Sequence, residues 1–222
     1  MAILKKIKVF LSSVSIILSI GSFVLMIFLL TYFDTCNKNT SGIPGDMRQY
    51  DPIKNLPKIQ QFAGKDVKLA NIKAVYVKSD GTMDIKAKYS PNVTYLFVKK
   101  INEIIDKDVP IGVKDKRTIN TVEEITIKVT KPYYYTNLAN DSTHRFPGME
   151  RYARKTSNNY EKLIADTPKI GFDKIWEMAL KQDVPENAVA MIEYDNKGYH
   201  FYIDDTNIDL YFDINGGLIN KN

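Results

Sequence analysis

The chain has 222 residues, 44% hydrophobic and 11% aromatic, a composition that supports a packed core and excludes a disordered tail. Its net charge is +5, but once Lys5, Lys6 and Lys8 are set aside the basic and acidic residues nearly balance, so no nucleic acid is implied as a partner. A single cysteine, Cys36, excludes an internal disulfide, and an exported domain without disulfides fits a bacterial envelope better than a eukaryotic cell surface.

In chain order, 1–8 carries the three lysines and 9–33 follows without a charge. At about 1.5 Å per residue this run would reach ~37 Å, enough for a tilted helix across a hydrocarbon core of about 30 Å. It is too long for a secretory signal, and its exit offers no small-residue cleavage site. Lysines before the run and no acid before Asp34 predict a single-pass protein with its N-terminus in the cytoplasm and 34–222 outside. Ser12, Ser15, Ser19 and Ser22 share one face of this helix. Such stripes let two membrane helices approach closely, so a homodimer through the span is one expectation. Serines bonding back to their own helix are the other. Cys36, just beyond the run, would bridge two paired chains or stay a free thiol.

The segment 34–50 is polar, rich in Gly, Pro, Asn and Ser, and reads as a linker. From 51 to 120 the pattern predicts a first α-β-β-β unit. Its helix has Pro57 in the first turn, apolar Leu56, Ile59, Phe62 and Ala63 on one face and Gly64 as a stop. A strand follows over 72–78, then a hairpin turn at Ser79, Asp80 and Gly81, an alternating stretch with Met83, Ile85 and Ala87, and a strand over 94–98. The part 121–170 reads as a connecting strand, with Ile125, Ile127 and Val129 inward, and an irregular segment with short helices after Pro147 and after Asn159.

The stretch 171–222 predicts a second α-β-β-β unit. Phe172, Ile175, Trp176, Ala179 and Leu180 follow the spacing of a core-facing helix. Strands are expected over 188–194, 199–204 and 208–212, the last leading to a turn at Asn215, Gly216 and Gly217, with Trp176 packed on Phe201 and Ile203. The expected fold class is therefore α+β: a transmembrane helix, then an extracytoplasmic domain of two helix-plus-antiparallel-meander units. The matched intervals fit either duplication or convergence.

Chemical signatures are sparse. His144 and His200 lack metal-ligand spacing, and His200 falls on the face of its strand opposite Tyr199 and Phe201. Asp205, Asn207 and Asp209 open like a calcium loop, but Leu210 and Gly216 stand where glycine and glutamate are needed. Nucleotide-binding and hydrolase motifs do not occur. No cofactor, metal site or catalytic residue is expected. Two surfaces are candidates for binding. Lys131 with Tyr133, Tyr134 and Tyr135 combines a cation with aromatic faces suited to sugars or a partner, unless alternate tyrosines only finish the core. Arg151, Arg154 and Lys155 align if their stretch is helical, a face for anionic headgroups or cell-wall polymer, unless it is merely solvated.

The end of the chain, 172–219, with its helix, meander and closing DLYFDINGGLI, resembles the PepSY-type modules of bacterial envelopes. Its aromatic, Phe-Asp and glycine ending is also similar to that of small lipoproteins that assist outer-membrane assembly, although this chain has no lipobox. The PepSY resemblance implies a non-catalytic, regulatory or protein-binding role. The expectation is a membrane-anchored binding or regulatory protein of the bacterial envelope, its partner another envelope protein or cell-wall polymer. The alternative is an envelope enzyme whose site is assembled from scattered carboxylates and tyrosines.

Overall fold

The longest alternating runs of the sequence form the middle of a sheet. The computed structural model describes residues 40–106, 116–137, 142–156 and 159–221. Its strands are β1 (Thr40–Gly42), β2 (Lys68–Val77), β3 (Asn92–Asp106), β4 (Lys116–Thr130), β5 (Tyr133–Asn137), β6 (Ser142–Phe146), β7 (Gly148–Thr156), β8 (Ala190–Asp195), β9 (Gly198–Tyr202), β10 (Asp209–Phe212) and β11 (Leu218–Lys221). Nine of them make one sheet in the order β1-β7-β4-β3-β2-β8-β9-β10-β11, and β5 and β6 make a separate hairpin. Every pairing is antiparallel. At the centre Val93 lies opposite Val129, Tyr95 opposite Ile127 and Phe97 opposite Ile125, all buried. Aromatic and β-branched pairs of this kind are what stabilise one face of a sheet.

Two helices cover that face. α1 (Pro52–Ala63) starts where the Asp51 carboxylate accepts from the backbone N–H groups of Ile53 and Lys54, both at 2.9 Å, with Pro52 as its first residue. A single turn, α2 (Tyr160–Leu163), is capped by Asn159. α3 (Phe172–Leu180) buries Phe172, Ile175, Trp176 and Ala179. Leu56, Ile59 and Ala63 of α1 and the buried residues of α3 join the inward residues of β2, β3, β4, β8, β9 and β10 in one core. On the opposite face, Tyr160, Leu163 and Ile164 cover only a small cluster of Ala70, Val98 and Val122. No described helix covers that face over β8, β9 and β10.

The expected fold class is corrected: the architecture is sheet-dominated, not two helix-plus-meander units. β2 lies between β3 and β8, so the halves read as separate units share one continuous sheet. Met83 and Ile85 do not extend a hairpin. Both are buried, and Met83 forms an isolated bridge with Tyr50, because both flanks of β2 are already occupied by β3 and β8. The stretch after Pro147 is strand β7, whereas the one after Asn159 is the helical turn α2. α1 begins five residues before Pro57, which sits inside it.

Residues 40–50, read as linker, belong to the fold. β1 pairs with β7, and Ile43 and Met47 pack on the core. The buried Tyr95 hydroxyl donates to the Pro52 carbonyl at 2.9 Å and accepts from the Tyr50 hydroxyl at 3.0 Å. Burial holds both phenols well above the ordinary tyrosine range.

The expected transmembrane helix, 9–33, lies outside the described residues, as do Ser12, Ser15, Ser19, Ser22 and Cys36. Among the described residues no helix is long and apolar enough to cross a membrane. α1, the longest, extends about 18 Å against a hydrocarbon core of about 30 Å. The expected single-pass placement, with the main domain outside the cytoplasm, is corrected accordingly: it has no support in the described structure.

Candidate functional site

Strand alternation builds the most organised uncovered surface. Ile192, Tyr194, Phe201, Leu210 and Phe212 point into the core, so Glu193, His200, Tyr202, Asp209 and Tyr211 stand on the other face. The register sets His200 between Glu193 on β8 and Tyr211 on β10, and sets Tyr202 opposite Asp209. The His200 ring stacks on Tyr211 with centroids 4.3 Å apart and planes 4° from parallel, and on Tyr202 at 4.7 Å and 26°. Its Nε2 is 2.6 Å from Asp209 Oδ1, which fixes the imidazole in that stack.

The neighbouring strand β2 extends the network. Asn71 Nδ2 donates to Glu193 Oε1 at 2.9 Å, and Lys73 Nζ lies 3.5 Å from Glu193 Oε2 and 6.0 Å from the centre of the Tyr202 ring. Burial alone would lower the Lys73 pKa, but the Glu193 carboxylate and Tyr202 outweigh it and leave the ammonium above its ordinary value. Beside the stack is an open cavity of about 550 Å³, lined among others by Glu193, Asp195, Lys197, His200, Tyr211 and Ile219.

The surface sets stacked ring faces beside charged and polar groups. Tyrosine and histidine offer apolar ring surface and polar tips together, and here each ring is already held by its neighbours, so little side-chain entropy is lost on contact. No serine, threonine or cysteine among the described residues lines the cavity, whereas the carboxylates Glu193 and Asp195 do. Among the described residues no group of His, Cys, Asp and Glu is placed to hold a metal ion.

The surfaces expected from sequence have different fates. Lys131, Tyr133 and Tyr134 do line one cavity, of about 390 Å³, together with Lys86 and Arg145. Tyr133 packs on Phe146 with centroids 4.8 Å apart. Tyr135 pairs with His144 in the β5–β6 ladder, and the side chains of both lie outside the described residues. Arg151, Arg154 and Lys155 do not align, because β7 is extended and period two sends Arg154 to the face opposite Arg151 and Lys155.

Two of these cations have structural roles. Arg151 Nε donates to the Ala63 carbonyl at 3.0 Å, satisfying an acceptor that the C-terminus of α1 leaves open. Arg154 places Nε at 2.7 Å and Nη2 at 2.6 Å from Oε2 of Glu124, a carboxylate only 4% exposed. Arg154→Ala should therefore destabilise the protein by about 1–3 kcal/mol, since a buried charged acceptor loses its cation. The combined Glu124→Leu, Arg154→Met variant should recover most of that loss. Urea unfolding of the three proteins checks it, and a wild-type midpoint for Arg154→Ala would refute the role.

The placement of His200 on the face opposite Tyr199 and Phe201 was legible in the alternation of its strand. Tyr202 and Tyr211 were not singled out, and nothing local announced Lys73 or Asn71 as neighbours of Glu193. No family model matches the chain, and no curated protein or solved structure shows significant similarity to it.

Proposed function

We propose that the protein is a non-catalytic binding module that recognises a polypeptide partner through the uncovered face of β8, β9 and β10. The observation that carries this reading is the locked stack of Tyr202, His200 and Tyr211, held by Asp209 on a face no described helix covers. Tyrosine is enriched at the energetic centres of protein interfaces, and a preformed patch binds at lower entropic cost. The charges around the stack are mixed, Lys73 and Lys197 beside Glu193, Asp195 and Asp209, which suits a polypeptide of mixed charge better than a uniform polyanion.

Affinity capture with the full chain, compared with Tyr211→Ala and His200→Ala and quantified by mass spectrometry, tests it. A defined protein should be retained by the wild type and fall about tenfold with Tyr211→Ala, as for a residue at an interface centre. Identical recovery by all three baits would overturn the reading. The His200–Asp209 pair beside a cavity is what favours the rival, an enzyme of scattered carboxylates and tyrosines. A partner retained by His200→Ala together with a turnover lost in it would favour that rival.

A further inference from the structure

A second cavity lies away from the stack, at the base of the β5–β6 hairpin. It gathers residues from four separated parts of the chain: Met47, Lys86, Lys131 to Tyr134, and Arg145. Among the described residues, three that line it are cations and none is a carboxylate. Among the described residues, none of Lys86, Lys131 and Arg145 forms an ion pair. Three like charges around one hollow repel one another, and an anion inside it would reverse that term.

The rest of the lining narrows the class of anion. Arg145 lies directly opposite Tyr134 in the hairpin register, so the two share one face of the ribbon. Tyr134 is 72% exposed, leaving ring surface available for stacking. Met47 and Pro132 supply apolar wall, and Tyr133 is positioned by its contact with Phe146. The volume, about 390 Å³, falls in the range of small-molecule sites, about 300–1,000 Å³. A guanidinium fork matches the oxygens of a tetrahedral oxyanion, two ammonium groups add point charge, and the sum suits a dianion better than a carboxylate.

We infer that this cavity binds a small organic phosphomonoester, its phosphate among Lys86, Lys131 and Arg145 and a planar organic group against Tyr134. The proposal concerns a surface separate from the stacked face and does not rest on the function proposed for it.

Calorimetric titration of the full chain with phenyl phosphate, inorganic phosphate and benzoate tests it. Phenyl phosphate should bind saturably at millimolar concentration or below, more tightly than inorganic phosphate and than benzoate. Arg145→Gln and Lys131→Gln should each weaken it about tenfold, the loss of one charge-assisted contact. Tyr134→Ala should remove the preference for phenyl phosphate over inorganic phosphate while leaving the latter's binding unchanged. These side chains are exposed, so the variants should keep the wild-type melting temperature. Absence of saturable binding, or binding that both charge variants retain at wild-type strength, would overturn the inference. Equal affinity for phenyl and inorganic phosphate would overturn the role of Tyr134.

Discussion

Replacing Trp176 by alanine is expected to lower the unfolding free energy by about 3–5 kcal/mol, the loss typical of deleting a large buried ring. Trp176 is fully buried and meets Phe201 edge to face, with centroids 4.9 Å apart and planes at 88°. It sits between Phe172, Ile175 and Ala179 of α3 and the inward residues of β8, β9 and β10, so the cavity left behind would open where helix and sheet meet. Among the described residues its ring nitrogen finds no acceptor. A buried donor without a partner costs about 1–3 kcal/mol, so Trp176→Phe, which removes the donor and keeps an aromatic ring, should be much milder than Trp176→Ala. Urea unfolding followed by circular dichroism separates these outcomes. Equal midpoints for Trp176→Ala and the wild type would mean that α3 is not seated on the sheet as described.

Gly198→Ala should be comparably damaging, for a different reason. Gly198 begins β9 with φ +125°, and a Cβ built there would lie 2.1 Å from the Phe212 carbonyl oxygen and 2.9 Å from the Asp213 Cα. Backbone strain of about 1–3 kcal/mol for that conformation adds to an overpacking cost of about 1–3 kcal/mol. The clash is with the backbone around the end of β10, so relief requires β9 and β10 to shift apart, and their register is what sets His200 against Tyr211. Gly42 is the control, since its Cβ would meet nothing within 4 Å. Thermal melts should show a large drop for Gly198→Ala and little change for Gly42→Ala. Similar melting temperatures for the two variants would refute the argument.

Local rules carried the sequence reading furthest at the C-terminal end. The 3.6-residue spacing of Phe172, Ile175, Trp176 and Ala179 marked α3, and alternation with glycine-bearing turns marked β8, β9 and β10 to within about two residues. The same alternation put His200 opposite Tyr199 and Phe201, so one residue of the candidate face was visible before its neighbours were known. Lys131, Tyr133 and Tyr134 were likewise grouped by sequence proximity, and they line one cavity.

Pairing between distant strands decided the rest. Arg151, Arg154 and Lys155 fit a helical face as well as a strand, and only the ladder from β7 to β4 makes the segment extended and sets Arg154 against Glu124. The stretch 40–50 has no periodicity of its own; it is ordered by β7 beside it and by the buried contact between Tyr50 and Tyr95. Lys73 meets Glu193 because the sheet order sets β2 beside β8, strands far apart in the chain. Arg145 joins Lys131 through the β5–β6 hairpin, and Lys86 joins them from the loop between β2 and β3. By itself the sequence determined period, turn chemistry and the side of its strand that His200 takes, because these depend on neighbours a few residues away. Strand order, the fate of the polar N-terminal stretch and the make-up of both cavities were decided only by the tertiary structure. Hydrogen-bonded ladders join any two exposed strand edges, and the choice among them rests on the packing of the whole sheet.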